Sequence, residues 1–134
     1  MSTDRISNLL SAVKNAALAG RSSLETPYFK QGKEVLEILK NRKLVKDVKV
    51  FKVEESSFKG LHIDLVETDG LVKKLKIDRL SKPGNRAYGH YKDFVKVKAG
   101  LGVLVVSTSR GVMNGERAKN KKLGGELICK AFFS

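Results

Sequence analysis

Cysteine and aromatic residues are scarce in this chain of 134 residues, which contains one cysteine, three tyrosines and no tryptophan. A lone Cys129 excludes a framework of intramolecular disulfides and favours a reducing cytosol as the compartment. So few tyrosines and no tryptophan leave little material for the aromatic belt of a membrane-interface protein. No apolar stretch approaches the roughly 20 residues that a membrane-spanning helix needs, and we expect no secretory leader. These absences disfavour a membrane partner.

Side chains suited to metal binding or catalysis are also few. His62 and His90 lie far apart in the sequence, and neither has a cysteine or a carboxylate at the spacing of a metal site. Ser107 lies outside any G-x-S-x-G elbow, and no histidine or acid is placed by the sequence to activate it. We therefore predict no enzyme, no metal and no cofactor. The alternative is a phosphoester-processing enzyme that uses Ser107 or Ser109 next to Arg110.

Positive charge, by contrast, is abundant and unevenly distributed. The 27 lysines and arginines outnumber the 14 acids, which gives a formal net charge of +13. Residues 1–67 hold 12 basic and 9 acidic side chains, whereas residues 68–134 hold 15 and 5. Because 41% of the chain is hydrophobic and the charges are mixed in sign, we expect a packed core rather than disorder. The surplus favours a polyanionic partner such as nucleic acid, bound mainly by the second half.

Hydrophobic periodicity predicts two helices near the start of the chain. Apolar residues recur at helical spacing over residues 4–19, and Gly20 suits the end of that helix. A second helix is predicted over residues 31–41, after a loop that contains Pro27. Three polar residues can cap the first helix: Ser2, Thr3 and Asp4.

Strand-like segments dominate the rest of the chain. They are predicted over residues 48–54, 61–65, 71–77, 87–91, 101–108 and 126–133, with short helices after Asp93 and Asn114. Residues 81–86 contain Pro-Gly-Asn and form the strongest linker signal. The fold class is therefore α+β, with two small modules. Residues 1–67 form an N-terminal α/β module with two helices and a short sheet, and residues 68–134 form a C-terminal, mainly β module with short helices.

Three adjacent hydroxyl residues at the end of an apolar strand are the most informative feature of the sequence. They are Ser107, Thr108 and Ser109, and they are followed by Arg110 and Gly111. Short hydroxyl side chains both donate and accept hydrogen bonds. The wide, shallow minor groove of duplex RNA presents 2′-hydroxyls and base edges that match them. The segment therefore predicts RNA binding. The alternatives are a Ser/Thr turn that only ends the strand and a DNA-binding module.

Basic, aromatic and glycine residues accompany this hydroxyl segment in the second half. Cations release counterions from phosphates, tyrosines stack on unpaired bases, and glycines let the backbone approach a partner closely. For each cation the alternative is a solvated side chain that only confers solubility. The candidate contacts are Lys82, Arg86, Tyr88, Lys121, Lys122, Gly124 and Gly125. Glu126 could orient arginine or serine side chains, accept a hydrogen bond from a base amino group, or be a simple strand-end charge.

Over nearly its whole length the chain resembles the bacterial form of the small-subunit ribosomal protein eight family. The most specific matching blocks are residues 100–102, 107–113 and 124–126. Further matches are residues 81–84 with Arg86 and Tyr88, and residues 14–16 of the first helix.

The resemblance implies two small modules with the RNA site mainly on the second. The family binds a helical region in the central domain of small-subunit ribosomal RNA early in assembly. Residues 107–109 match its RNA-contacting loop, residues 124–126 match the adjacent segment, and Tyr88 matches a position near the RNA. Asn15 and Lys30 match first-module positions that touch the same RNA. The implied partners are this RNA and neighbouring small-subunit proteins, with a cytoplasmic, ribosomal location and a free monomer. Some members also repress their own messenger RNA.

The chain departs from the family pattern at several positions. The family usually has proline where this chain has Arg5, glycine where it has Lys43, proline where it has Val95, and a more acidic segment at residues 114–116. None of these positions falls in the matched blocks of the second module.

Overall fold

A computed structural model describes residues 2–134 and, apart from residues 2–4 and 99, their side chains. The predicted capping residues Ser2, Thr3 and Asp4 therefore lie outside the described side chains. The elements in chain order are α1 Ser2–Leu18, β1 Ser23–Pro27, α2 Lys30–Asn41, β2 Val45–Lys52, β3 Lys59–Leu65, β4 Glu67–Thr68, β5 Leu71–Val72, β6 Leu75–Arg79, β7 Tyr88–Gly89, β8 Val103–Thr108, β9 Gly111–Asn114, α3 Gly115–Asn120 and β10 Gly125–Phe133, with 3₁₀ turns at Tyr91–Asp93 and Val97–Gly100.

The first half of the chain forms a three-stranded antiparallel sheet, in the order β1-β3-β2, packed against α1 and α2. β3 is central, and its alternate residues Leu61, Ile63 and Leu65 are buried, as the alternation predicts. The loop prediction at Pro27 is wrong, because Pro27 is the last residue of β1 and pairs with Gly60. β1 is an edge strand, where proline's missing N–H removes no hydrogen bond between neighbouring strands.

The second half forms an antiparallel sheet in the order β6-β10-β8-β9, with β7 also paired to β10. The prediction of one strand over residues 71–77 is wrong. Residues Leu71–Val72 pair with β4 in a separate hairpin, while Leu75–Arg79 pair with β10. Residues 81–86 do not link two modules. They form a tight turn inside the second sheet, with backbone hydrogen bonds between Lys82 and Asn85 in both directions.

One hydrophobic core joins the two halves of the chain. Leu10 of α1 and Leu36 of α2 belong to the same buried cluster as Val105 of β8 and Cys129 of β10. Cys129 is a small core residue, as predicted, and burial raises the pKa of its thiol to about 12. The α+β class with two small modules is confirmed, with one main sheet in each half of the chain and the β4–β5 hairpin in addition. The division at residue 67 stays a prediction about folding units, since the core is continuous across it.

A polar clamp also connects the halves. Arg42 follows α2, and its guanidinium donates to the carbonyl oxygens of Gly100, at 3.3 Å, and Gly102, at 3.1 Å. The same side chain pairs with the Glu116 carboxylate of α3. Arginine suits this position because its fixed fork of N–H donors serves several acceptors at once.

The three helices end with the same backbone arrangement. In each one, the residue after the C-cap has positive φ, and its N–H donates to the carbonyl oxygen three residues earlier. The N–H of the next residue donates to the carbonyl oxygen five residues earlier. This is the Schellman motif, in which glycine is the usual positive-φ residue. α1 has Gly20 there, at φ 75°, as the sequence predicts for a helix end. α2 and α3 instead have Lys43, at φ 62°, and Lys122, at φ 58°.

His62 lies between two carboxylates on the outer face of the first sheet. Its Nδ1 is 3.1 Å from Glu25 Oε2, and its Nε2 is 3.1 Å from Asp64 Oδ1. Sequence spacing did not reveal this cluster, because Glu25 reaches His62 only through the register of β1 against β3. The hydrogen bond with Glu25, assisted by Asp64, raises the pKa of His62 above its ordinary value of 6.5, although partial burial opposes the rise.

We expect His62→Gln to lower the melting temperature more at about pH 5.5 than at about pH 8.5. Because the folded-state pKa lies above the unfolded one, the stabilisation is full below the unfolded pKa of about 6.5. It is lost as the pH rises through the folded pKa. Thermal unfolding of both proteins at the two pH values checks this, and an equal difference at both would contradict it.

Candidate nucleic-acid interface

The predicted hydroxyl segment forms the tip of the β8–β9 hairpin, hereafter the hairpin tip (residues 107–111). Thr108 pairs with Gly111 across it. The Thr108 hydroxyl donates to the Gly111 carbonyl oxygen at 2.8 Å and accepts from the Arg110 N–H at 3.1 Å. The Thr108 hydroxyl therefore stabilises the turn that ends the strand, which is the role that the Ser/Thr-turn alternative gives it. Ser107 is half-buried, whereas Ser109 and Arg110 are exposed at the point of the hairpin.

The start of β10 lies between the hairpin tip and β7. Gly125 is opposite Thr108 on β8 and Gly89 on β7, and Glu126 is opposite Ser107 and Tyr88. This register brings together three segments that are widely separated in the sequence. We call the combined surface of the hairpin tip, Arg86, Tyr88 and residues 124–126 the hairpin face.

The two glycines at the start of β10 are explained by packing within the protein. A Cβ on Gly125 would lie 2.1 Å from the Ser107 carbonyl oxygen, and a Cβ on Gly124 would lie 2.7 Å from the Gly89 carbonyl oxygen. Real Cβ atoms do not approach backbone oxygens so closely. The sequence interpretation, that these glycines let the backbone reach a partner, missed this cause, which appears only once the strands are paired.

The β7 side of the hairpin face presents an aromatic ring and a cation. Tyr88 is 70% exposed, which leaves its ring free for stacking, whereas Tyr91 is partly buried against the second core cluster. Arg86 precedes β7 and is exposed, and its guanidinium lies 3.6 Å from the Glu126 carboxylate. That carboxylate also accepts a hydrogen bond from the buried Ser81 hydroxyl. Glu126 is thus engaged with both an arginine and a serine.

A groove lies between α1 and β6 of the second sheet. It has a volume of about 360 Å³ and is lined by Lys14 and Ser11 on one side and by Arg79 and Lys82 on the other. Asn15 is exposed next to Lys14. The sequence predicts Lys82 and Asn15 as RNA contacts but not Arg79, which reaches the groove only because the two halves pack together.

A smaller cavity, of about 30 Å³, reaches the base of the hairpin tip between the modules. Gln31 of α2 lines it together with Ser107 and Glu126. Lys30, the first residue of α2, is exposed beside Gln31. Lys30 therefore lies next to a residue that borders the hairpin face, and Asn15 lies next to a residue that lines the groove, but neither is part of the hairpin face.

The basic helix α3 follows the hairpin. The Asn114 side chain accepts from the Arg117 N–H at 2.7 Å, so the predicted cap is confirmed. The Lys119 ammonium group donates to the Phe94 carbonyl oxygen at 3.2 Å, so part of its hydrogen-bonding capacity is used within the protein. Lys121 and Lys122 are exposed at the end of the helix, just before Gly124.

The described residues contain neither a candidate metal site nor a candidate membrane-spanning helix. Among them, no group of three or more histidine, cysteine, aspartate or glutamate side chains is arranged to hold a metal ion. No helix in residues 2–134 combines the length and the hydropathy needed to cross a membrane.

Comparison with known proteins gives consistent matches along the chain. A family model described as Ribosomal protein S8 matches residues 4–132. Proteins named small ribosomal subunit protein uS8 match over almost their whole length. The one from Methylacidiphilum infernorum is 38% identical over 98% of this chain and 100% of its own length. Those from Borrelia garinii subsp. bavariensis and Hyphomonas neptunium are each 34% identical over 97% of this chain and 98% of their own. The chain therefore belongs to the Ribosomal protein S8 family.

Proposed function

We propose that this protein is a structural constituent of the small ribosomal subunit and that it binds structured ribosomal RNA through the hairpin face. The observation that carries the proposal is the register of β10 between β7 and β8. It places exposed hydroxyl, guanidinium and phenol groups on one surface. Hydroxyls suit ribose and base edges, guanidinium groups suit phosphates, and an exposed tyrosine ring suits an unpaired base.

The charge and the relatives support this proposal. The formal charge of +13 provides the sequence-independent attraction to RNA. The relatives are named as small ribosomal subunit proteins, which supports a ribosomal location and neighbouring small-subunit proteins as partners. We propose that the target is a helical region in the central domain of the small-subunit ribosomal RNA. The protein acts thermodynamically there: it binds one RNA conformation and so raises its population. Such a role requires no catalytic step.

We expect the affinity for this RNA to fall steeply with salt. With about six phosphate contacts, the plot of log affinity against log salt should have a slope of roughly −5. Ser109→Ala should weaken binding to the structured RNA about fivefold and leave binding to a random RNA duplex unchanged, because one hydrogen bond is worth about 1 kcal/mol. Filter binding or fluorescence anisotropy over a salt series measures both quantities.

Lys130→Ala offers a matched control for that experiment. Lys130 is an exposed cation of the same sheet, four residues beyond Glu126 on β10. Its loss should reduce binding to both RNAs slightly and equally. If Ser109→Ala also reduces both affinities equally, the hairpin tip does not read a specific RNA structure.

Repression of the protein's own messenger RNA follows from the same proposed surface. A transcript that folds into the shape of the ribosomal site would compete for the hairpin face. Footprinting of the protein on its own transcript tests this, and Ser109→Ala should weaken the footprint in parallel with ribosomal RNA binding. No footprint on the transcript would contradict this part of the proposal.

A further inference from the structure

We propose that Ser81 is a positioning residue for RNA binding, and that Glu126 acts through Ser81 and Arg86 rather than by direct contact with a base. The inference rests on the proposed function, because it concerns how the hairpin face is held. The sequence offers an orienting role for Glu126 as one of several alternatives, and the structure shows which arginine and which serine it contacts.

Ser81 is unusual in being a buried polar residue, with 6% of its surface exposed. Both hydrogen-bonding capacities of its hydroxyl are used. The hydroxyl donates to the Glu126 carboxylate and accepts from the Ala87 N–H at 3.3 Å. It therefore joins the two ends of the segment 81–87 to each other and holds the first residue of that segment against β10. A hydrogen bond from a buried hydroxyl to a carboxylate is among the stronger kinds of hydrogen bond in proteins.

The rest of this segment has few other attachments. Among the described residues, the Lys82 and Asn85 backbones bond to each other across the turn, and Gly84 has φ 79° with open space around it. Backbone hydrogen bonds to β10 flank the segment on both sides. The Leu80 N–H donates to the Ile128 carbonyl oxygen, and the Leu127 N–H donates to the Ala87 carbonyl oxygen. Ser81 and Glu126 thus form a side-chain tether between the turn and the sheet.

The tethered segment carries proposed RNA contacts. Lys82 lies within it, Arg86 sits at its end against Glu126, and Tyr88 follows immediately on β7. Fixing these side chains before binding lowers the entropy lost when the RNA arrives. A negatively charged residue in an RNA-binding face is then explained, because its charge is directed at Ser81 and Arg86 inside the protein.

Limited trypsin digestion tests the tether without RNA. Trypsin can cut after Arg86 at the end of the segment and after Arg110 in the hairpin tip. We expect Ser81→Ala to raise the native-state cutting rate after Arg86 about tenfold, in proportion to the loss of one charge-assisted hydrogen bond. The rate after Arg110 should not change, which makes it a control within the same molecule. An unchanged rate after Arg86, or an equal rise at both sites, overturns the tether.

A double-mutant cycle then tests the link to RNA. We expect Ser81→Ala and Glu126→Ala each to weaken binding to the structured ribosomal RNA about tenfold, and the double variant to bind no worse than the weaker single one. Binding to a random duplex should change little in any of them. If the two losses multiply, Glu126 contacts the RNA directly and the inference fails. If the wild-type protein shows no preference for structured RNA, the proposed function fails, while the trypsin rates still decide whether Ser81 holds the segment.

Discussion

Gly125→Ala is expected to lower the melting temperature by about 10 °C and to abolish specific RNA binding. The new Cβ would lie 2.1 Å from the Ser107 carbonyl oxygen, 2.9 Å from the Ser107 carbonyl carbon and 3.2 Å from the Thr108 Cα. All three are backbone atoms, so no side-chain rotation relieves the contact. β10 must move away from β8, and the pairs of Gly125 with Thr108 and Glu126 with Ser107 open. We expect a loss of about 3 kcal/mol in the free energy of unfolding.

Gly111→Ala is the matched comparison for that change. A Cβ there meets no atom within 4 Å, but the residue has φ 110°, which L-residues rarely adopt. Its cost is therefore conformational and should be about 1–2 kcal/mol. Thermal and urea unfolding of the Gly125→Ala and Gly111→Ala variants measure the two losses of stability. We expect the Gly111→Ala variant to keep part of its specific RNA binding. If Gly125→Ala unfolds at the wild-type temperature, the close packing of β10 against β8 is wrong.

Lys122→Gly is expected to stabilise the protein while weakening RNA binding. Lys122 occupies the positive-φ position of the Schellman motif after α3, where a lysine costs about 1 kcal/mol relative to glycine. Removing the strain should raise the free energy of unfolding by that amount, and the melting temperature by about 4 °C. The lost ammonium group should reduce the salt slope of RNA binding by about 0.9. Urea unfolding and a salt series of binding measure the two effects.

The chain supplies its own control in Lys43. It occupies the same position after α2, at φ 62°, and the matching residue after α1 is Gly20. Lys43→Gly should stabilise the protein as much as Lys122→Gly does, without changing the salt slope. The backbone strain at Lys122 would then be retained because this position places a cation beside the hairpin face. Equal salt slopes in both variants would mean that Lys122 does not contact RNA.

Much of the fold follows from the periodicity of the sequence. α2 and β10 begin within one residue of their predicted starts, because apolar residues at strict intervals mark the buried face. The short strands are different. Residues 71–77 look like one continuous strand, but Lys73 and Lys74 separate two strands that belong to different sheets. The break becomes visible only once the strand that pairs with each one is known.

The candidate site was predicted as residue types rather than as contacts. The three hydroxyls, the two glycines and Glu126 stand out in the sequence, where a turn role for the hydroxyls and an orienting role for Glu126 are two alternatives among several. The hydrogen bond from Thr108 to Gly111 is local to the β8–β9 hairpin. The close packing at Gly125 and the tether from Ser81 to Glu126 depend instead on how β10 pairs with strands far away in the sequence. Long-range pairing of this kind leaves no periodic signal in a single sequence.

Mapping of RNA–peptide crosslinks in purified small ribosomal subunits tests the central proposal most directly. We expect crosslinks to ribosomal RNA in the peptides that contain residues 107–111 and 86–88, at the hairpin face. Crosslinks confined to other surfaces, such as the outer face of the β1-β3-β2 sheet around His62, would contradict it.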